Sequence, residues 1–346
     1  MLLLFGAAML AVVAPQTAKA GPHSNVSAMS LNLYLGTALE TGLVAADTPA
    51  LQTNVHAMYE QAKASNTAKR LKRQAKYIKE LEPDVIGVQE AVSIYEQELD
   101  LGCPSACAIK NPSQVASWKI LPMFKKALKK QGIQYKVASK QKNIDISVPG
   151  LYENIRLVDY DAILVRKTKH VKTGKHGGDT FDWGLTVPVP LNAAESTSIT
   201  RGYTYANMKI RGAKVRVVNT HLESFAEITR ENQADELVET TGPLYPKNQA
   251  TILMGDLNSG PKWSTGAYDT IKAAGFTAKK KAKNTCCIDA DLTDGTLNTT
   301  IDFVLGDKDV TVKKSHRTGV NPSWPGSMPA WPSDHTGVYS KLKVRR

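Results

Sequence analysis

Cysteine is scarce. Four residues in a chain of 346, Cys103, Cys107, Cys286 and Cys287, are too few for a disulfide-built scaffold, and their spacing lacks the second pair of a zinc ribbon. All four are read as structural: Cys103 and Cys107 are close enough to close a small loop, whereas the adjacent pair can bridge each other only with strain. Beyond the first twenty residues no apolar run is long enough to cross a bilayer, so no transmembrane helix is expected. There are no internal repeats and no linker rich in Pro, Gly and Ser, which argues for one domain over 21–346 rather than two smaller ones. Acidic residues are also in deficit: 44 Lys and Arg stand against 32 Asp and Glu, a formal charge of +12. Such an excess attracts polyanions, either nucleic acid or an anionic membrane surface, but says nothing about chemistry.

The chain opens with an unbroken apolar run from Met1 to Ala14, closed by Pro15 and followed by Ala18 and Ala20 on either side of Lys19. This is the apolar core and small-residue cleavage site of a secretory signal, so residues 1–20 are set aside and a secreted product, extracellular or periplasmic, is expected. Its charge would be +11, one less for the loss of Lys19. A monomer is expected.

Several β-branched segments end at a polar residue and alternate with charged, helix-like ones, the pattern of an α/β protein with its site at one end of the strands. Val26 to Leu35 carries Asn32, Asp84 to Gln89 leads to Glu90, Lys214 to Thr220 leads to His221, and Ala250 to Gly255 leads to Asp256 and Asn258. Tyr160 to Arg166, Thr300 to Leu305 and Gly337 to Val344 complete the expected strands. A helix is expected over Thr67 to Leu81, with Leu71, Ala75 and Ile78 on one face, Arg70 and the lysines in solvent, and Pro83 as its stop. Two more are expected, Val115 to Gln131 and Thr265 to Ala274. Asp145 and Asp161 are weighed between the rim of the site and turns, with turns favoured, and His23, His56, His170, His176 and His316 are assigned to the surface.

A single Glu after a strand is ordinary, but the ordered set Asn32, Glu90, His221, Asp256, Asn258, Asp302, Asp334 and His335 is not. It supplies oxygen ligands for a hard cation, two imidazoles, and carboxylates able to orient them. The segments Leu31-Asn32-Leu33-Tyr34, Val88-Gln89-Glu90, Val218-Asn219-Thr220-His221-Leu222, Met254-Gly255-Asp256-Leu257-Asn258, Ile301-Asp302-Phe303-Val304 and Ser333-Asp334-His335 together resemble the successive motifs of the endonuclease/exonuclease/phosphatase superfamily, to which deoxyribonuclease I and the neutral sphingomyelinases belong. The resemblance implies a four-layer sandwich, two mostly antiparallel sheets packed face to face between helices, with the site where loops gather at one edge. The Arg that relatives often carry before the Ile-Asp strand is replaced here by Thr299 and Thr300, which bears on one structural salt bridge and not on Asp302.

Hydrolysis of a phosphoester requires that the phosphate oxygens be neutralised, the attacking water deprotonated and the leaving oxygen stabilised. Glu90 is assigned to a Mg²⁺ or Mn²⁺ ion, with Asn32 adding an amide oxygen or holding the carboxylate. From the resemblance, Asp302 orients His335 as general base and Asp334 contacts the metal. His221 donates to a phosphate or leaving oxygen, and Asp256 with Asn258 positions the nucleophile and the phosphoryl group. Arg201 is weighed evenly between a phosphate contact and a surface strand charge. A metal-dependent nuclease acting on DNA or RNA is the first reading, since basic charge suits backbone phosphates. A sphingomyelinase or phospholipase C-like enzyme is the second, because the loop from Trp324 to Ser333 brings two indoles next to Asp334 and His335; Trp331 itself is read as scaffold. A catalytically silent binding module on the same fold is the third.

Overall fold

The computed structural model describes residues 23–39, 45–98, 116–188, 196–245, 249–279 and 282–346. The expected signal segment, Cys103 and Cys107 lie outside them.

The described strands are β1 (His23–Asn32), β2 (Val85–Gln89), β3 (Ser93–Glu98), β4 (Ala116–Lys119), β5 (Tyr135–Pro149), β6 (Glu153–Arg166), β7 (Val171–Thr180), β8 (Leu185–Pro188), β9 (Ser196–Ile199), β10 (Gly202–Ile210), β11 (Ala213–His221), β12 (Ala250–Asp256), β13 (Asp302–Gly306), β14 (Val310–Thr318) and β15 (Gly337–Arg345). The helices are α1 (Thr48–Ala64), α2 (Thr67–Leu81), α3 (Ile120–Lys130), α4 (Glu227–Val238) and α5 (Thr265–Ala273). The larger sheet runs β14-β15-β1-β2-β6-β3-β4, with β5 also on β6; the smaller runs β13-β12-β11-β10-β7, and β8 pairs with β9. Among the described strands, only β1 with β2 and β11 with β12 are parallel.

Alternation of side chains along the strands builds the layers. On β11, Val215 and Val217 face the larger sheet and join Val26, Ala28, Val85, Ile163 and Val165 in a dry core between the sheets. Val218, on the opposite face, packs under α4 and α5 with Leu237 and Ile271. The outer face of the larger sheet is covered by α1, α2 and α3 through Leu51, Val55, Leu71, Ile78, Phe124 and Leu128. The result is helices, sheet, sheet, helices, the four-layer α/β sandwich implied by the motifs.

Three expectations change. The helix expected from Val115 begins at Ile120, because Ser93 and Ile94 take Lys119 and Trp118 as strand partners. Arg70 is fully buried rather than solvated. It donates to the carbonyls of Ser65 at 3.0 Å, Leu33 at 3.0 Å, Tyr34 at 3.1 Å and Pro332 at 3.3 Å, tying α2 to the segments that follow Asn32 and precede Asp334. Neither Asp145 nor Asp161 sits in a turn. Asp145, on β5, takes both Nε and Nη2 of Arg156 across the ladder at 2.7 and 2.8 Å, and Asp161 points from β6 into the space between the sheets.

Candidate active site

Register alone gathers most of the site. β1 and β2 run parallel with Asn32 beside Gln89, so Asn32 and Glu90 leave the larger sheet at the same edge. In the smaller sheet His221 pairs with Asp256 and Asp256 with Asp302, while Gly202, the residue after Arg201, pairs with His221. Arg201, His221, Asp256 and Asp302 therefore form a row across four neighbouring strands. The backbone turns sharply where the row and its counterpart end: Tyr34, Glu90 and Asn258 have φ of 60°, 52° and 45°. A side chain in this left-handed region costs of order 1–3 kcal/mol, retained where surrounding contacts impose it.

The two edges meet through hydrogen bonds. Asn32 Nδ2 donates to Glu90 Oε1 at 2.9 Å and to Asp256 Oδ2 at 3.3 Å, while its Oδ1 accepts from the Tyr34 N–H at 2.9 Å. Of the two roles expected for Asn32, this geometry supports holding carboxylates; its amide oxygen is turned to the backbone. Gln89 Nε2 donates to Asn219 Oδ1 at 2.6 Å, a second polar tie between the sheets. Glu90 Oε2 accepts from the Leu35 N–H at 2.7 Å. Asn258 donates its N–H to Asp256 Oδ1 at 3.0 Å and its side-chain amide to Leu222 O at 2.9 Å.

The two imidazoles flank Asp256 and differ in state. His335 Nδ1 lies 2.9 Å from Asp302 Oδ2 and 3.6 Å from Asp256 Oδ2. Burial pushes its pKa down, but the carboxylates of Asp302, Asp334 and Asp256 outweigh burial and hold it well above 6.5. His221 is held well below 6.5, by burial first and then by the Arg201 charge. A guanidinium can only donate, so Arg201 Nη1 at 3.2 Å from Nδ1 makes that nitrogen an acceptor and places the proton of neutral His221 on Nε2, 3.7 Å from Asp256 Oδ2.

Arg201 is thus no surface strand charge. It is 5% exposed, faces Glu223 at 3.8 Å, and lines the cavity. Glu223 carries no motif in the sequence and Arg70 reads there as a solvated helix charge; the burial of both follows from tertiary packing, with no periodic signal to reveal it.

The carboxylates are crowded. Burial, then the Asp334 charge, pushes the Glu90 pKa up to about 8, and burial raises Asp334 as well. Asp256 rises to about 6 through burial and Asp302. Asp161, fully buried on β6, has its pKa raised well above its usual range by burial first and then by the Asp159 charge.

A cavity of about 330 Å³ opens over these groups. Glu90, His221, Asp256, Asn258, Asp334, His335 and Arg201 line it, so seven of the nine expected site residues reach one space; Asn32 and Asp302 stand behind them. One wall is apolar, Leu35, Leu39, Val92, Ile144 and Leu157, and the other carries Cys286, Cys287 and Ile288. Trp331 packs half-buried beside Tyr34, Ile288 and Leu292, as scaffold beneath the loop.

Residues 29–335 match the model of the endonuclease/exonuclease/phosphatase family. No curated protein matches the sequence. Solved structures do, with similar folds. A family protein from Bacteroides thetaiotaomicron is 16% identical, with a TM-score of 0.55 over 93% of this chain and 99% of that one. The mannosyl-6-phosphatase of Bacteroides thetaiotaomicron is 17% identical, with a TM-score of 0.54 over 92% and 99%. A family protein from Leptotrichia buccalis is 14% identical, with a TM-score of 0.52 over 92% and 99%. Likeness at these identities concerns the fold.

Proposed function

Since the chain belongs to the endonuclease/exonuclease/phosphatase family, we propose that it is a divalent-metal-dependent phosphodiesterase acting on DNA or RNA. The observation that carries the chemistry is the meeting, in one cavity, of Glu90, Asp334, Asp256 and two imidazoles, one faced at Nδ1 by a guanidinium and the other by a carboxylate.

The carboxylate pair fits a hard cation. Glu90 and Asp334 are half-buried oxygen donors whose charges repel, the condition a Mg²⁺ or Mn²⁺ ion relieves. When bound, such an ion supplies positive charge against the non-bridging phosphate oxygens. His221, neutral with its proton on Nε2, donates to a phosphate or leaving oxygen. The carboxylates around His335 outweigh burial and hold its pKa up, so the ring acts as base only once its Nε2 proton has left. Neutralising Asp334 removes one of the charges that keep that proton on. Asp256, set between the two rings, and Asn258 orient the attacking water.

Nucleic acid is favoured by the charge of +12. A specific observation supports membrane lipid as the second reading. Phe225 and Ile228, 40% and 65% exposed, lie on the segment leaving His221, and Trp263, 59% exposed, lies on the segment leaving Asn258. Ser264 Oγ donates to Glu227 at 2.9 Å, tying the two segments that carry these exposed apolar side chains to each other. Export through residues 1–20 is part of the proposal whichever substrate holds; a secreted product sequenced from about Gly21 supports it, and one retaining Met1 refutes it.

The test is a parallel assay of supercoiled DNA, RNA, sphingomyelin vesicles and a generic aryl phosphodiester with Mg²⁺, repeated in EDTA. Cleavage of nucleic acid that is lost on chelation and restored by Mg²⁺ is expected. Undiminished hydrolysis in EDTA removes the metal role, cleavage confined to vesicles transfers the substrate to lipid, and failure on all four leaves a silent module.

A further inference from the structure

The adjacent cysteines were read from the sequence as structural, yet they line the cavity. Cys286 is buried, Cys287 is exposed, and the two sulfurs are bonded to each other. Cys286 Sγ lies 3.4 Å from His335 Nε2, the ring nitrogen opposite the one that faces Asp302. The two sulfurs and an imidazole nitrogen of His335 all fall within 4.8 Å of one another. The backbone here is fixed from both sides. Thr299 N donates to Cys286 O at 2.9 Å, and Ile288 N donates to Asp334 O at 2.9 Å. Thr336 N donates to Thr285 O at 2.8 Å, so opening the sulfur bond need not carry the segment away from the ring.

We propose that Cys286 and Cys287, once reduced, join His335 Nε2 in a soft-metal site that takes a thiophilic divalent cation such as Zn²⁺ or Cd²⁺ and withdraws the imidazole from hydrolysis. The spacing suits it. With metal–sulfur and metal–nitrogen bonds of about 2.3 and 2.0 Å, a tetrahedral centre places sulfur and nitrogen about 3.5 Å apart, against the 3.4 Å seen here. Ligand softness separates this site from the oxygen-donor pair Glu90 and Asp334. The steps balance: a phosphine reductant and water convert the disulfide to two thiols and the phosphine oxide. The cation then displaces two thiol protons and, where His335 is an imidazolium, its Nε2 proton. The same ring nitrogen cannot hold the cation and accept a proton from water, so binding inhibits.

The experiment uses the full chain in a Cys103→Ser, Cys107→Ser background, where the adjacent pair supplies the only thiols. Protein reduced with a phosphine and protein left oxidised are titrated with Cd²⁺ alone, following the ultraviolet thiolate-to-cadmium charge-transfer band and the bound metal by equilibrium dialysis. One Cd²⁺ per reduced chain is expected, with no band from oxidised protein and none from Cys287→Ser, an exposed position where folding is spared. His335→Ala should weaken binding at least about tenfold, the loss of one ligand of about 1.4 kcal/mol or more. A band of equal strength without reduction, no band after it, or unchanged affinity in His335→Ala overturns the site. The readout does not depend on hydrolysis, so its failure leaves the proposed activity standing.

Discussion

At the scale of single residues, the protein differentiates two chemically identical side chains by what stands behind them. His221 has a guanidinium at Nδ1 and His335 has a carboxylate there, so the pKa of one ring is held down and that of the other is held up. His221→Ala should therefore lower kcat by ~10²–10⁴-fold, the contribution of a positioned acid-base group, while circular dichroism stays unchanged. A loss under tenfold makes His221 a spectator. His335→Ala should reduce turnover at least as far, and its pH profile should lose the limb on which wild-type activity rises as Nε2 gives up its proton. Persistence of that limb in the variant would assign it to another group. Arg201→Lys is the sharper substitution: the charge facing Glu223 is kept, but the planar fork that fixes the His221 tautomer is not. We expect kcat to fall with KM little changed. An unaltered kcat would mean that the guanidinium does not act through the ring.

At the scale of elements, the features legible in the sequence were those with a period or a motif. The strands ending at Asn32, Gln89, His221 and Asp256 were readable because apolar runs stop at a polar residue, and α2 was readable from Leu71, Ala75 and Ile78 down to its residue bounds. Its ends also explain themselves: Asn66 accepts from the Lys69 N–H at 3.1 Å, and Glu82 adopts the left-handed conformation before Pro83. Helix α1 escaped, although Leu51, Val55 and Tyr59 recur every four residues, because alanines on its other faces blur the contrast. The swap of helix for strand at Ala116–Lys119 has a different cause. Trp118, Ile120, Leu121 and Phe124 read as one apolar stretch, and only pairing with β3 separates strand from helix. Arg70 shows what periodicity misses altogether. Its side chain is the common donor to carbonyls as far as 262 residues along the chain from it, which no local pattern encodes. Arg70→Met should leave the Ser65, Leu33 and Tyr34 carbonyls without that donor. Stability should fall by about 3 kcal/mol or more, since each buried unsatisfied group costs about 1–3 kcal/mol. Urea denaturation measures this, and a change below about 1 kcal/mol would show that water replaces the guanidinium.

At the scale of the whole molecule, the site is a local conflict that the fold contains. Two sheets and two helical layers supply dry cores on three levels, and the conflict is confined to the edge where β1, β2, β11 and β12 end. Glu90 carries its clearest thermodynamic mark. Its folded pKa of about 8 lies above the ordinary 4.5, so below pH 4.5 the folded and unfolded chains hold the same proton. Between those values only the folded chain keeps it, and stability contributed by that proton drains away as pH rises to about 8. Chelated wild-type protein should therefore lose stability across this window, and Glu90→Gln, which replaces the protonated acid with a neutral amide, should lose less, by of order 1 kcal/mol or more. The same variant should no longer gain thermal stability from added Mg²⁺, whereas wild type should gain about 2.7 kcal/mol at one hundred times Kd. Paired unfolding curves at pH 5 and pH 8, with EDTA and with Mg²⁺, separate the effects. Parallel pH slopes in both proteins would show that Glu90 is not strained by its surroundings, and an equal Mg²⁺ shift in both would show that the cation is held elsewhere. A carboxylate that destabilises the empty fold and becomes favourable only against a cation is what a site kept for binding, rather than for stability, should contain.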